Sequence, residues 1–205
     1  MLRKLSPLAV LLVALTVPAQ NGLAPIPAER AANSYAIYSL LMPGAPFSSM
    51  SPAQTTRWAI AESTVNITDM NPAVPPDGQL TPPPDNPRAF QEALDDYESR
   101  KYERFRLEAN DFQLNHPFSL LNGEQVSELR EARSSATAPS ELKARYATYP
   151  GITFFSAAYF NRAQTAALVY MNNWCANLCA AGQWVYLEKQ GGHWVRRSGI
   201  SRGGA

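Results

Sequence analysis

The sequence predicts an α+β fold: an antiparallel sheet of four to six strands with helices packed on one face. Three observations carry that prediction. Residues 151–199 hold four apolar or aromatic runs separated by short polar or glycine breaks, the pattern of an antiparallel meander. Two earlier stretches, 28–41 and 87–109, show helical spacing of apolar residues with proline at or just before their starts. At 205 residues and 45% hydrophobic content, the chain is long enough for one domain with a substantial core and short for two.

Met1–Ala19 reads as a secretory signal peptide. Arg3 and Lys4 form its basic start, Leu8–Val17 its apolar centre, and Val17-Pro18-Ala19 a small-residue cleavage site. The apolar centre is too short to span a bilayer, which takes about 20 residues, and no cysteine follows the cleavage site to carry a lipid anchor. The expected location is the periplasm or the exterior. Removing Arg3 and Lys4 takes the 18 basic residues to 16, against 17 acidic ones. The mature chain therefore has no basic patch for nucleic acid and no polybasic tail for an anionic membrane.

Ala28–Leu41 is predicted as the first helix, preceded by Pro27 and ended by Pro43-Gly44. Ala28, Ala31, Tyr35, Tyr38 and Leu41 form the face that packs on the sheet. Arg57–Ile67 is predicted as a strand. Asn66-Ile67-Thr68 is formally a glycosylation sequon, of little weight in an export context of bacterial kind. Residues 71–87 hold seven prolines in seventeen residues together with Asp77-Gly78, and read as a surface loop of polyproline character rather than helix or interior strand. Pro87–Ala109 is the clearest helix, capped by Asn86 or Asp85, with Phe90, Leu94, Tyr97 and Phe105 as its apolar stripe. Its charged residues, including Asp96 and Arg100 as an i,i+4 pair, are expected to face solvent. A short strand within Asp111–Leu121 and short helices over Gly123–Ala138 and Pro139–Tyr146 complete the first part.

The meander strands are Ile152–Asn161, Thr165–Cys175, Gln183–Lys189 and His193–Arg197, the last two joined by a Gln190-Gly191-Gly192 turn. Residues 20–199 are read as one domain, and 200–205 as a tail that frays. Cys175 and Cys179 are the two cysteines, spaced C-x3-C. In an exported chain they are expected to form a local disulfide, worth roughly 2 kcal/mol by the chain-entropy account. A redox pair is normally C-x-x-C at a helix start, and a metal site completed by His116 and His193 lacks paired histidine spacing.

The stretches Tyr149-Pro150-Gly151-Ile152, Phe155-Ser156, Tyr159-Phe160-Asn161, Ala167-Leu168-Val169-Tyr170, Cys175-x-x-Leu178-Cys179 and Leu187-Glu188-Lys189-x-x-Gly192-His193-Trp194 resemble a group of exported bacterial proteins of unknown function. Asp111-Phe112-x-x-Asn115 and Tyr35-Ala36-x-Tyr38-Ser39 extend the likeness upstream, more faintly. The chain departs from that pattern at Ala176 and Ala180, where the group has glycine. The resemblance implies export and a fold, and no activity.

Catalytic signals are sparse. The sequence has no G-x-S-x-G, zincin helix, phosphate-binding glycine loop, dinucleotide fingerprint or EF-hand ligand run, so no cofactor is implied. His116 precedes proline in a loop, and His193 sits in a hairpin. Glu62 and Glu188, acids in predicted strands, offer the one hydrolase reading, as carboxylates in a sheet cleft. Glu188 is otherwise expected at the hairpin edge facing Lys189 or Arg196. Trp174, Trp184, Tyr186 and Trp194 crowd around the cysteines, either as sheet–helix core or as a face that stacks on an envelope glycan or anchors a protein partner. The expected function is that of a non-enzymatic binding or structural module of the bacterial cell envelope, with glycan binding through that aromatic set and hydrolysis as alternatives. By fold analogy alone, the expected architecture is a cone-like sheet wrapping a long helix, cystatin-like or nuclear-transport-factor-like.

Overall fold

A computed structural model describes residues 22–42, 57–70, 74–177 and 179–197. The expected signal segment 1–19 and the tail 200–205 lie outside the described residues. In chain order the elements are α1 (Ala28–Leu41), β1 (Trp58–Ala61), α2 (Pro76–Gln79), α3 (Pro87–Arg100), β2 (Phe118–Leu121), α4 (Gly123–Ser134), α5 (Ser140–Arg145), β3 (Ile152–Phe155), β4 (Tyr159–Phe160), β5 (Ala166–Ala176), β6 (Cys179–Gln190) and β7 (His193–Arg196).

The C-terminal antiparallel meander forms, with the strand predicted over 152–161 broken into β3 and β4 and the one predicted from Gln183 starting at Cys179. β3 and β4 both pair antiparallel with β5, β5 pairs with β6 almost throughout, and β6 pairs with β7. Gly191 and Gly192 close the last turn with φ of 58° and 85°, the two positive values that a two-residue turn between right-twisted strands demands. The rest of the sheet corrects the prediction. Its order is β2-β1-β3-β5-β6-β7, and β1 runs parallel to both β2 and β3. The sheet is therefore mixed, not antiparallel throughout. Parallel neighbours need long crossovers, which here carry α2 and α3 between β1 and β2, and α4 and α5 between β2 and β3.

Helices cover both faces, not one. Successive strand residues point to opposite sides, and β3 shows what each side meets. Phe155 stacks on Tyr38 of α1, with ring centroids 4.8 Å apart. Its neighbour Phe154 lies beneath Arg130 of α4 at 5.3 Å. The cross-strand register places Asn172, Tyr170, Trp184 and Tyr186 on the Phe154 side, where α3 packs Tyr97 against Trp184 and Phe90 against Tyr186. A separate small core under α4 and α5 joins Leu129 and Tyr146 to Ala59, Ala61, Leu121 and Ile152.

Several local predictions also change. Helix α3 stops at Arg100 because residues 105–107 take other partners: Phe105 N–H donates to Thr64 Oγ1 (2.9 Å) and Leu107 N–H to Glu62 O (2.7 Å). Those bonds hold this segment against residues 62–64, so Phe105 reaches the core from an extended chain. Asp96 is not on a solvated face and does not pair with Arg100, which instead meets Glu103 at 2.6 Å. Asp96 accepts the Phe160 N–H (2.8 Å) and pairs with Arg30 of α1. The short strand β4 has an open side whose N–H needs an acceptor, and a carboxylate from α3 supplies it where α1 and α3 meet. The proline-rich loop includes one helical turn, α2, which starts at Pro76; a proline is tolerated there because first-turn N–H groups have no helical partner. Asn66 of the sequon is buried and acts as a turn residue, donating to Tyr102 O (2.9 Å) and accepting the Thr68 N–H (3.0 Å).

Candidate functional site

Between α4 and the segment carrying Asp69, Met70 and Arg104, part of the Phe154 side of the sheet is uncovered. The resulting groove has a volume of about 860 Å³, within the range of small-ligand sites. Phe154 of β3 and Tyr170, Asn172 and Trp174 of β5 form its floor, and Val126, Arg130, Glu131 and Ser134 of α4 form one wall. A reciprocal cap fixes the start of that wall. Asn122 Oδ1 accepts the Gln125 N–H (2.9 Å), and Gln125 Oε1 accepts the Asn122 N–H (3.0 Å). The Tyr170 phenol crosses β6 at Gly182, where an added Cβ would overlap it. Glycine is required there by close approach, which leaves room for the Tyr170 phenol over β6. Asn172 Nδ2 donates weakly to the Tyr170 hydroxyl at 3.4 Å.

Two arginines three residues apart on α4 have different roles. Arg133 donates to Cys175 O and Tyr149 O, both at 2.7 Å, tying the helix to the β5–β6 tip; burial lowers its pKa from the usual arginine value. Arg130 lies over the rings of Phe154 (5.3 Å) and Trp174 (5.7 Å), and its guanidinium has no hydrogen-bond or ion-pair partner among the described residues. Across the groove, Arg104 is held by Asp69 (3.4 Å) and Thr64 O (3.3 Å).

Cys175 and Cys179 stand at disulfide distance, Cα to Cα 5.3 Å, at the groove end of the β5–β6 hairpin beside Trp174. Among the described non-glycine residues only Gln164 has positive φ, so Ala176 and Ala180 occupy ordinary backbone without glycine.

The four-ring candidate face is divided. Trp184, Tyr186 and Trp194 are buried with their polar ends engaged: Trp184 Nε1 donates to Val74 O (2.7 Å), the Tyr186 hydroxyl to Glu188 (2.8 Å), and Trp194 Nε1 to Asn33 Oδ1 (3.4 Å). Trp184 and Tyr186 lie under α3, while Trp194 pairs across from Lys189 and so takes the opposite side of the sheet. They are core, and Trp174 alone of the four reaches the groove. Glu188 is also buried, not an edge charge. It accepts from Tyr186 and from Asn86 (2.9 Å) and pairs with Arg197 (3.2 Å), not with Lys189 or Arg196. Glu62 lines a different, smaller cavity of about 360 Å³ beside the α4 cap, so the two acids share no cleft. His116 stacks on Trp58 at 4.3 Å, and His193 is exposed in the last hairpin. Among the described residues no histidine, cysteine and carboxylate cluster could hold a metal ion, and no helix is long and apolar enough to cross a membrane.

Phe154, Tyr170, Asn172 and Arg130 were not singled out from sequence. One signal was available: the Asn172-Asn173 doublet inside an otherwise apolar strand. Asn173 is consumed by a buried bond from Thr153 (2.8 Å), and Asn172 faces the groove. The molecule is thus a mixed-sheet α+β protein with an open groove on one sheet face. The chain matches no protein-family model, no curated protein and no solved structure with which it was compared.

Proposed function

We propose that this chain is an exported, non-enzymatic binding module of the bacterial cell envelope, with the groove beside α4 as its ligand site and an envelope glycan as the ligand. One observation carries the reading: an uncovered stretch of sheet whose floor combines the half-buried rings of Phe154 and Trp174 with the Asn172 amide, over the buried Tyr170, walled by Arg130 and Glu131. Rings held by a sheet offer stiff apolar area at small entropic cost, and amide and charged groups give direction to hydroxyls. Export is supported by the pattern of residues 1–19, by the cysteine pair, and by the resemblance of the last fifty residues to exported bacterial proteins. Binding is favoured over hydrolysis because Glu188 is committed to Tyr186, Asn86 and Arg197, away from Glu62. The cystatin-like or nuclear-transport-factor-like kinship has support from the antiparallel meander only; the parallel β2–β1–β3 half lies outside that pattern.

The test is co-sedimentation of the mature, oxidised protein with insoluble peptidoglycan and polysaccharides, beside Asn172→Ala and Trp174→Ala variants shown by circular dichroism to be folded. The expected result is retention of the parent and about tenfold weaker retention of each variant. A parent that stays in solution with every glycan would overturn the reading.

A further inference from the structure

We infer that the groove selects a saccharide bearing a carboxylate, and that Arg130 is the residue that reads it; this rests on the ligand-site reading above. The Arg130 guanidinium is held over two ring faces, Phe154 and Trp174. A cation so placed is attracted by the rings, while its N–H donors lie in its own plane and stay available. No described residue takes any of them. A planar fork of donors, already positioned, matches the two oxygens of a carboxylate. The other cations near the groove are committed, Arg133 to Cys175 O and Tyr149 O, and Arg104 to Asp69 and Thr64 O.

Two further observations narrow the ligand. A neutral sugar could stack on Phe154 and Trp174 only by displacing the guanidinium that covers them, whereas an acidic sugar uses the guanidinium where it lies. Glu131, the next residue of the same wall, has no ion-pair partner among the described residues. It accepts hydrogen bonds from hydroxyls and repels dense negative charge, which disfavours phosphate-rich ligands and favours carboxylates spaced one to a hydroxylated ring. Ser134, four residues beyond Arg130 and therefore on the same helix face, lines the same wall, and its buried Oγ has no hydrogen-bond partner among the described residues.

Titration calorimetry of the mature, oxidised full chain with β-1,4-linked tetraglucuronate and with cellotetraose tests this, since the two differ only in the carboxylate at each C6. Tetraglucuronate is expected to bind about tenfold tighter than cellotetraose, with that preference weakening as salt is raised. Arg130→Gln, with an unchanged melting temperature, is expected to abolish the preference by weakening tetraglucuronate binding about tenfold; Arg130→Lys is expected to restore only part of it. Equal binding of the two sugars would overturn the inference and leave the glycan groove standing. Binding of neither, with the parent still retained by other glycans in the sedimentation test, would overturn the inference alone. Tetraglutamate binding as tightly as tetraglucuronate would overturn the saccharide class.

Discussion

Phe154 and Phe155 are neighbours in one strand, and the two sides of the sheet they face are finished differently. On the Phe155 side, α1 brings Tyr35, Ile37, Tyr38 and Leu41, all buried. Tyr38 stacks on Phe155 and satisfies its hydroxyl on Ser156 O at 2.9 Å. Phe112 closes the arrangement against Tyr35 at 5.2 Å. On the Phe154 side, α4 carries a thin apolar stripe of Val126, Leu129 and Ala132. That stripe covers β1, β2 and the start of β3, and the floor beyond it meets an arginine instead of a hydrocarbon. A helix covers only as much sheet as its apolar stripe is wide. The broad stripe of α1 makes a sealed core, and the narrow one of α4 leaves a groove.

Substitutions that separate the two sides should differ in size. The largest effect is expected from Phe155→Ala, a loss of about 3–5 kcal/mol for a large buried ring, read in urea melts. Phe154→Ala, half-buried under a guanidinium, should lose roughly 1–2 kcal/mol, and equal losses would break the contrast. Next comes Arg133→Ala, expected to cost about 2–3 kcal/mol because it removes two charged hydrogen bonds and leaves Cys175 O and Tyr149 O unpaired. Gly182→Ala should cost about 1–3 kcal/mol by forcing the Tyr170 ring off the floor, with part of the loss recovered when Tyr170→Ala is added. Full recovery is not expected, because the double variant also gives up a buried ring.

An alkaline titration probes both sides with a smaller effect. Burial pushes Tyr35, on the α1 side, and Tyr146, under α4 and α5, up to about 12 from the ordinary value of 10; for Tyr146 the hydrogen bond to Glu128 raises it further. The native state therefore holds these protons more tightly than the unfolded chain does. Their contribution is complete below about pH 10 and is lost as the pH rises toward 12. Melting temperature should fall across that window together with the growth of tyrosinate absorbance, and a flat profile would contradict the burial. Arg130→Ala should have the smallest stability effect, under about 1 kcal/mol from the cation–ring contact, while its effect on binding should be the most selective.

Much of the fold was legible because it depends on local order. Ala28–Leu41 is helical with the boundaries read from Pro27 and the proline-glycine that follows. The Gly191-Gly192 turn set the register of the last hairpin, and the alternation in 166–175 and 183–189 marked two strands. The C-x3-C spacing pointed to the short link at the hairpin end. Errors arose where a remote partner competed with a local preference. The apolar stripe of residues 87–109 ran on to Phe105, but Thr64 and Glu62 took the backbone bonds of 105–107 and ended the helix at Arg100. Asp96 reads as one charge among many, and the Phe160 N–H, sixty-four residues away, gives it a half-buried structural role.

By itself, then, the sequence determined the first helix and the start of the third, the antiparallel meander and its turn, and the proximity of the two cysteines, because hydrophobic period and turn chemistry act over a few residues. Tertiary structure alone decided that β1 lies parallel between β2 and β3, that Trp184 and Tyr186 face one helix while Trp194 faces another, and that Arg130 rests over Phe154 and Trp174 with no ion pair among the described residues. Each of these depends on which distant surfaces meet when the two crossovers close, and local periodicity carries no record of that.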